Sequence, residues 1–238
     1  MKTTAKYLIV NADDFGQSAG INRGIIAAHE QGIVTSASLM VRWPAAQEAA
    51  DYARRHAELS VGLHLDLGEW ICTEGEWQPL YEVIDTNDEI AVRDEVARQL
   101  GAFRSLVGKN PSHIDSHQHT HLKEPARSIV ARIANELGCP LRSCTEEITY
   151  VGRFYGQTAD GTTLPELISV EGLITLLREL PEGICELGCH PGFAEDLNTM
   201  YRDERAQEVA VLCDPEIKSA VADRGIDLIS FTELPVIA

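Results

Sequence analysis

Basic residues are scarce in this chain. Lys and Arg number 20 against 37 Asp and Glu, for a formal net charge of −17. Phosphate backbones and anionic bilayers are gripped by clustered Lys and Arg, so this balance tells against a nucleic-acid or anionic-membrane partner. Long apolar runs are missing as well, and none reaches the roughly 20 residues of a membrane span. The opening stretch, MKTTAKYLIVNADDFG, is broken at Asn11, Asp13 and Asp14, too early for a secretory signal. Six cysteines (Cys72, Cys139, Cys144, Cys185, Cys189 and Cys213) contain no CxxC pair. They read as free thiols of a protein kept in a reducing cytoplasm.

What the chain does have is a regular alternation. Short apolar runs (KYLIVNA, SASLMV, SVGLHLDL, SHIDSH, PLRSCTE, GICELGCH and IDLISFTEL) are separated by helical patterns. Ser18 is placed to cap the first helix and Gly32 to stop it, Pro44 suits the start of the second, and Asn87 suits the cap of the third. Gly68 to about Thr86, with Trp70 and Trp77, reads as a loop, as does Ile148 to Pro165. Strands alternating with helices mean βαβ units and a parallel sheet. The expectation is one domain over residues 1–238, an incomplete or distorted (β/α) barrel of about seven parallel strands, with a doubly wound open sheet as the alternative.

The polar clusters share an address. Asp13 and Asp14 end the first strand pattern, His64 and Asp66 the third, Asp115 to His121 the fourth, and His190 the sixth. The segment SHIDSHQHTH alone holds four of the eight histidines. In parallel α/β folds the C-terminal strand ends share one face, and active sites form there. A carboxylate with two or three neutral imidazoles is a ligand set for a catalytic divalent metal, with positions left open for water and substrate. Asp13 and Asp14 suit a division of labour, one on the metal and one as a base. Adjacent side chains of an extended segment point opposite ways and cannot easily share an ion. His190 is the candidate to protonate a leaving group. Asp115 is placed to hold a histidine's free N–H.

Blander readings apply to the rest. His29 and His56 sit in helical patterns, and His113 at a strand start, so all three are read as structural. His119 and His121 are placed on a loop over the site. Trp70 and Trp77 suit a sugar platform or a pin for their loop. Cys189 beside His190 is a poor nucleophile–base pair, because neighbours on a strand face apart.

The motifs LIVNADDFG, GLHLDL, HIDSHQHTH and ELGCHPG, in that order, resemble the YdjC-like carbohydrate deacetylases. The resemblance implies a distorted (β/α) barrel that removes an acetyl group from an N-acetylated amino sugar, and it suggests a homodimer. It implies one divalent ion, Mg2+ or Zn2+, held by Asp14, His64 and His117, with a water on the ion as nucleophile. Asp13 corresponds to the general base, His190 to the acid, and Arg142 to an arginine that orients the base. Two other readings are a different metal-dependent amidohydrolase or phosphoesterase, and a non-catalytic sugar-binding protein. The lack of a basic cradle at these strand ends tells against phosphoryl chemistry, and binding alone needs neither a base nor an acid.

Overall fold

The computed structural model describes residues 5–73, 75–193, 196–197 and 199–234. The first apolar run forms β1 (Lys6–Phe15), whose last eight residues are all buried. It lies inside the sheet with cover on both faces, so its sequence is apolar throughout rather than alternating. Ser18 caps α1 (Ala19–Glu30), its hydroxyl accepting the Ile21 N–H. The unit then repeats through β2 (Ser36–Leu39), α2 (Ala46–Arg55) and β3 (Ser60–Leu65). After a hairpin of β4 (Gly68–Thr73) and β5 (Glu76–Glu82) come α3 (Glu89–Val107), β6 (Ile114–Ser116) and α4 (Ala126–Leu137). The chain continues through β7 (Ile148–Val151), α5 (Val170–Glu179), β8 (Gly183–Cys189), α6 (Asp203–Leu212), α7 (Pro215–Asp223) and β9 (Ile226–Leu228).

Seven parallel strands curl into the expected incomplete (β/α) barrel. Their order is β6-β3-β2-β1-β8-β7, with β9 paired to the first residues of β1. The helices pack on one another outside the sheet, α1 on α6, α2 on α3, α3 on α4 and α5 on α7. No helix among the described residues is long and apolar enough to cross a membrane. The six cysteines are free thiols.

Four local readings need correction. PLRSCTE forms no strand; only Leu141 bridges to Ile114, because Pro140 has no N–H to give and Ser143 turns the chain with φ 58°. The place of that fifth strand is taken by β7, four residues at the start of a segment whose Gly and Thr content reads as loop. The loop from Gly68 is an antiparallel hairpin, turned at Gly75 with φ 82°. Asp88, not Asn87, caps α3 by accepting the Ile90 and Ala91 N–H groups, while Asn87 bonds Asp85.

Candidate active site

Asp13 and Asp14 close β1, and the backbone changes hand between them. Asp14 has φ 67°, and the β1–β2 register shifts between Ala12 and Phe15. The left-handed residue costs roughly 1–2 kcal/mol and breaks the alternation of an extended strand. Both carboxylates therefore reach the same buried cluster, and the expectation that they face apart is wrong. His64 lies 3.2 Å from Asp14 and is itself paired with Asp115, which in turn lies against the Asp13 guanidinium partner.

Each aspartate has its own arginine. Arg142 donates Nη1 to Asp13 Oδ2 at 2.6 Å and Nη2 to Asp13 Oδ1 at 2.7 Å, a two-pronged grip. Its remaining reach goes to Asp115 at 2.8 Å and Glu186 at 2.7 Å. Asn11 adds a third hydrogen bond to Asp13 at 2.9 Å. Burial is the largest influence and works to raise the Asp13 carboxyl, but the charge and hydrogen bonds of Arg142, with the His64 charge, together hold the group below the ordinary carboxylate range. Arg205, from α6, pairs Asp14 Oδ2 at 2.6 Å. Asp14 Oδ1 faces the other way, 3.2 Å from His64 Nε2 and 3.0 Å from His117 Nδ1.

That oxygen and the two imidazoles lie mutually within 4.8 Å, all three residues buried. The set fits a divalent cation on three counts. One carboxylate and two imidazoles are the ligands such ions take. His64 Nδ1 donates to Asp115 at 2.7 Å, which fixes the ring with Nε2 turned to Asp14. His117 Nε2 is buried without a hydrogen-bond partner, with Glu69 3.5 Å away. Burial opposes a charged His117, yet the Asp14 carboxylate lifts its pKa to about 9, a measure of how strongly this corner attracts positive charge. A second grouping, Asp13 with His64 and Asp115, also meets the distance condition. The Arg142 guanidinium already occupies that side, so it is not a cation site.

His190 follows β8, with Nε2 3.8 Å from Asp13 Oδ2 and Nδ1 buried and unpartnered. Burial lowers its pKa to about 4, so the ring rests neutral. Its backbone is fixed by α6, where Glu208 accepts the His190 N–H. Tyr155 and Tyr201 stack at 4.3 Å and meet the His190 ring edgewise at 5.3 and 5.6 Å.

The other expectations sort cleanly. Asp115 is the partner of His64 rather than a ligand. Asp66 leaves the cleft cluster; it accepts from Arg42, Trp43, Tyr81 and the Gly68 N–H and so ties down the base of the hairpin. His113 bonds Ser38 and Ser112 and stacks on Phe231, His29 bonds the Val34 carbonyl, and His56 stacks on Tyr52. His121 is held between Ser116 and the Arg142 carbonyl. His119, Trp70 and Trp77 line the cleft, which has a volume of about 1040 Å3. Cys189 is buried and its thiol faces the Asn11 carbonyl. Arg205, Glu69, Glu186 and Glu208 were not singled out from the sequence. Only Glu186 carries a signal there, an acid in the middle of the apolar run GICELGC that needs a buried cation.

The curled parallel half-barrel thus carries a buried Asp-His-His corner beside an arginine-held aspartate. The fold matches a family 4 carbohydrate esterase from Streptomyces lividans at TM-score 0.58 and 15% identity, covering 98% of this chain and 97% of that one. A crystal structure from Enterococcus faecalis V583, described as a candidate cellobiose-phosphate cleavage protein, matches at TM-score 0.74 and 27% identity over 96% and 98% of the two chains. The YdjC-like protein model matches residues 7–223, and the chain belongs to that family. A carbohydrate deacetylase of Geobacillus stearothermophilus is 34% identical over 96% of this chain and 98% of its own. A chitooligosaccharide deacetylase of Serratia marcescens is 33% identical over 96% and 99%.

Proposed function

We propose that this protein is a metal-dependent N-deacetylase of amino sugars or their oligosaccharides. The observation that carries the reading is the corner at Asp14 Oδ1, flanked by two imidazole nitrogens at 3.0 and 3.2 Å, with the Arg142-held Asp13 beside it. The deacetylase relatives supply the substrate class. Asp14, His64 and His117 would hold the ion; two nitrogens in the set suit Zn2+ better than oxygen-preferring Mg2+. A divalent ion bound there supplies Lewis acidity, polarising the acetamide carbonyl and acidifying a water.

In the reaction, water adds to the acetamide carbon, the C–N bond breaks, and acetate and a free amine leave. Asp13 accepts the water's proton. Arg142 keeps the carboxylate ionised and aimed between pulses of charge, at the cost of some basicity. His190 rests neutral, so it takes its proton within the cycle, 3.8 Å from Asp13, and gives it to the departing nitrogen. An imidazolium whose pKa lies near 4 surrenders that proton readily. The test is acetate release from a panel of N-acetylated sugars by protein loaded in turn with Zn2+ and Mg2+. Turnover of at least one sugar is expected; no acetate from any of them, with the ion bound, refutes the reading.

A further inference from the structure

Directly after His117, two successive residues adopt the left-handed conformation, Gln118 (φ 50°, ψ 28°) and His119 (φ 54°, ψ 30°). Neither is glycine, and side-chain-bearing residues avoid this region. The turn puts the Gln118 carboxamide against the backbone of Trp70. Its Oε1 accepts the Trp70 N–H at 2.9 Å, and its Nε2 donates to the Trp70 carbonyl at 2.8 Å. A strand neighbour satisfies a residue in the same way, by exchanging both bonds with it. Trp70 is paired across the hairpin with Pro79, which has no N–H to give. One side chain thus stands in for a missing strand on the free edge of β4.

The clamp joins two parts of the cleft. On one side is His117, the residue before Gln118. On the other is the hairpin wall, where Trp70 lines the cleft and its ring lies over Gly68. A Cβ at Gly68 would come within 3.0 Å of that ring. The hairpin does not depend on Gln118 to stay folded, because Asp66 anchors its base through the Gly68 N–H and the Tyr81 hydroxyl. Gln118 ties the Trp70 backbone itself to the residue after His117, beside the looser approach of Glu69 to His117 at 3.5 Å.

We infer that Gln118 is a positioning residue for the sugar wall: it acts through Trp70 to fix where a ring beyond the reacting one lies. The inference rests on the deacetylase reading. It predicts an effect on binding that grows with substrate length and leaves the reacting centre intact.

The test uses Gln118→Gly in the full-length, metal-loaded protein. Glycine relieves the left-handed backbone, so the variant folds at least as well as the parent, yet it removes the clamp. KM for N,N′-diacetylchitobiose should rise about five- to tenfold, the worth of two partly exposed hydrogen bonds. The KM for N-acetylglucosamine should move less than twofold and bound metal should be unchanged. The same change in a Trp70→Ala background should add nothing, since Gln118 works through Trp70. In parallel, the Trp70 amide should lose hydrogen-exchange protection. Equal KM values for parent and variant on the two-ring sugar, or full additivity with Trp70→Ala, would overturn the inference. If the parent releases acetate from neither sugar, the deacetylase reading fails for them, and an unchanged Trp70 amide would still overturn the clamp separately.

Discussion

Asp13 and Asp14 are neighbours with opposite assignments, and the difference is made by the arginine that meets each. Arg142 takes both oxygens of Asp13 and sets a positive charge where a metal ion would have to compete with it. Arg205 takes only Oδ2 of Asp14, leaving Oδ1 free toward the two imidazoles. Asp13→Asn keeps the size and loses the base. It should lower kcat by about 10^3-fold, within the usual range for a general base, with metal content unchanged by elemental analysis. An Asn variant within tenfold of the parent would remove Asp13 from that role. His113 gives a second residue-scale prediction. It is wholly buried, with its ring so close to Gly62 that a Cβ there would sit 2.5 Å away. Burial lowers its pKa to about 3. Between pH 6.5 and 3 the unfolded chain therefore binds a proton the folded chain refuses, so stability is full above about pH 6.5 and falls as the pH drops through that window. Urea midpoints measured from pH 7 to pH 4 should fall, and His113→Gln should flatten the slope; a parallel slope in the variant would show that other groups cause it.

At the scale of elements, helix α6 does work that its sequence does not announce. One turn delivers Arg205 to Asp14, and the next delivers Glu208 to the backbone of His190. Partners of a metal ligand typically tune affinity 10- to 100-fold, so Arg205→Met should weaken Zn2+ binding by about that factor. Calorimetric titration checks it, and affinity within threefold of the parent would contradict it. The contrast with the strands explains what could be read in advance. Strand ends were legible because apolar runs stop abruptly at Asp, His and Asp again, and parallel topology gives those stops one address. Asp115 was legible as the holder of a histidine's free N–H, because a ligand imidazole needs one, though that the histidine is His64 came only with the β3–β6 pairing. Arg205 was not, because an Arg in an amphipathic helix reads as a solvated face until the barrel brings it to a residue near the other end of the chain. The hairpin was missed because its strands are exposed and carry little alternation, and β7 because four residues at the head of a Gly-rich segment leave almost no periodicity.

At the scale of the whole molecule, the cleft combines three strands remote in sequence, β1, β3 and β6, which are held side by side only when the sheet has curled. Its acidic lining and the net charge of −17 draw cations and repel phosphates, in keeping with hydrolysis of an uncharged amide rather than of a phosphate ester. The account stands on one ion being shared by those three strands. The most direct measurement is the number of divalent ions bound per chain, by elemental analysis after loading and desalting, in the parent and in Asp14→Ala, His64→Ala, His117→Ala and Asp13→Asn. One ion in the parent and in Asp13→Asn, with none in the other three, is the predicted result. An ion retained in all three alanine variants would contradict it.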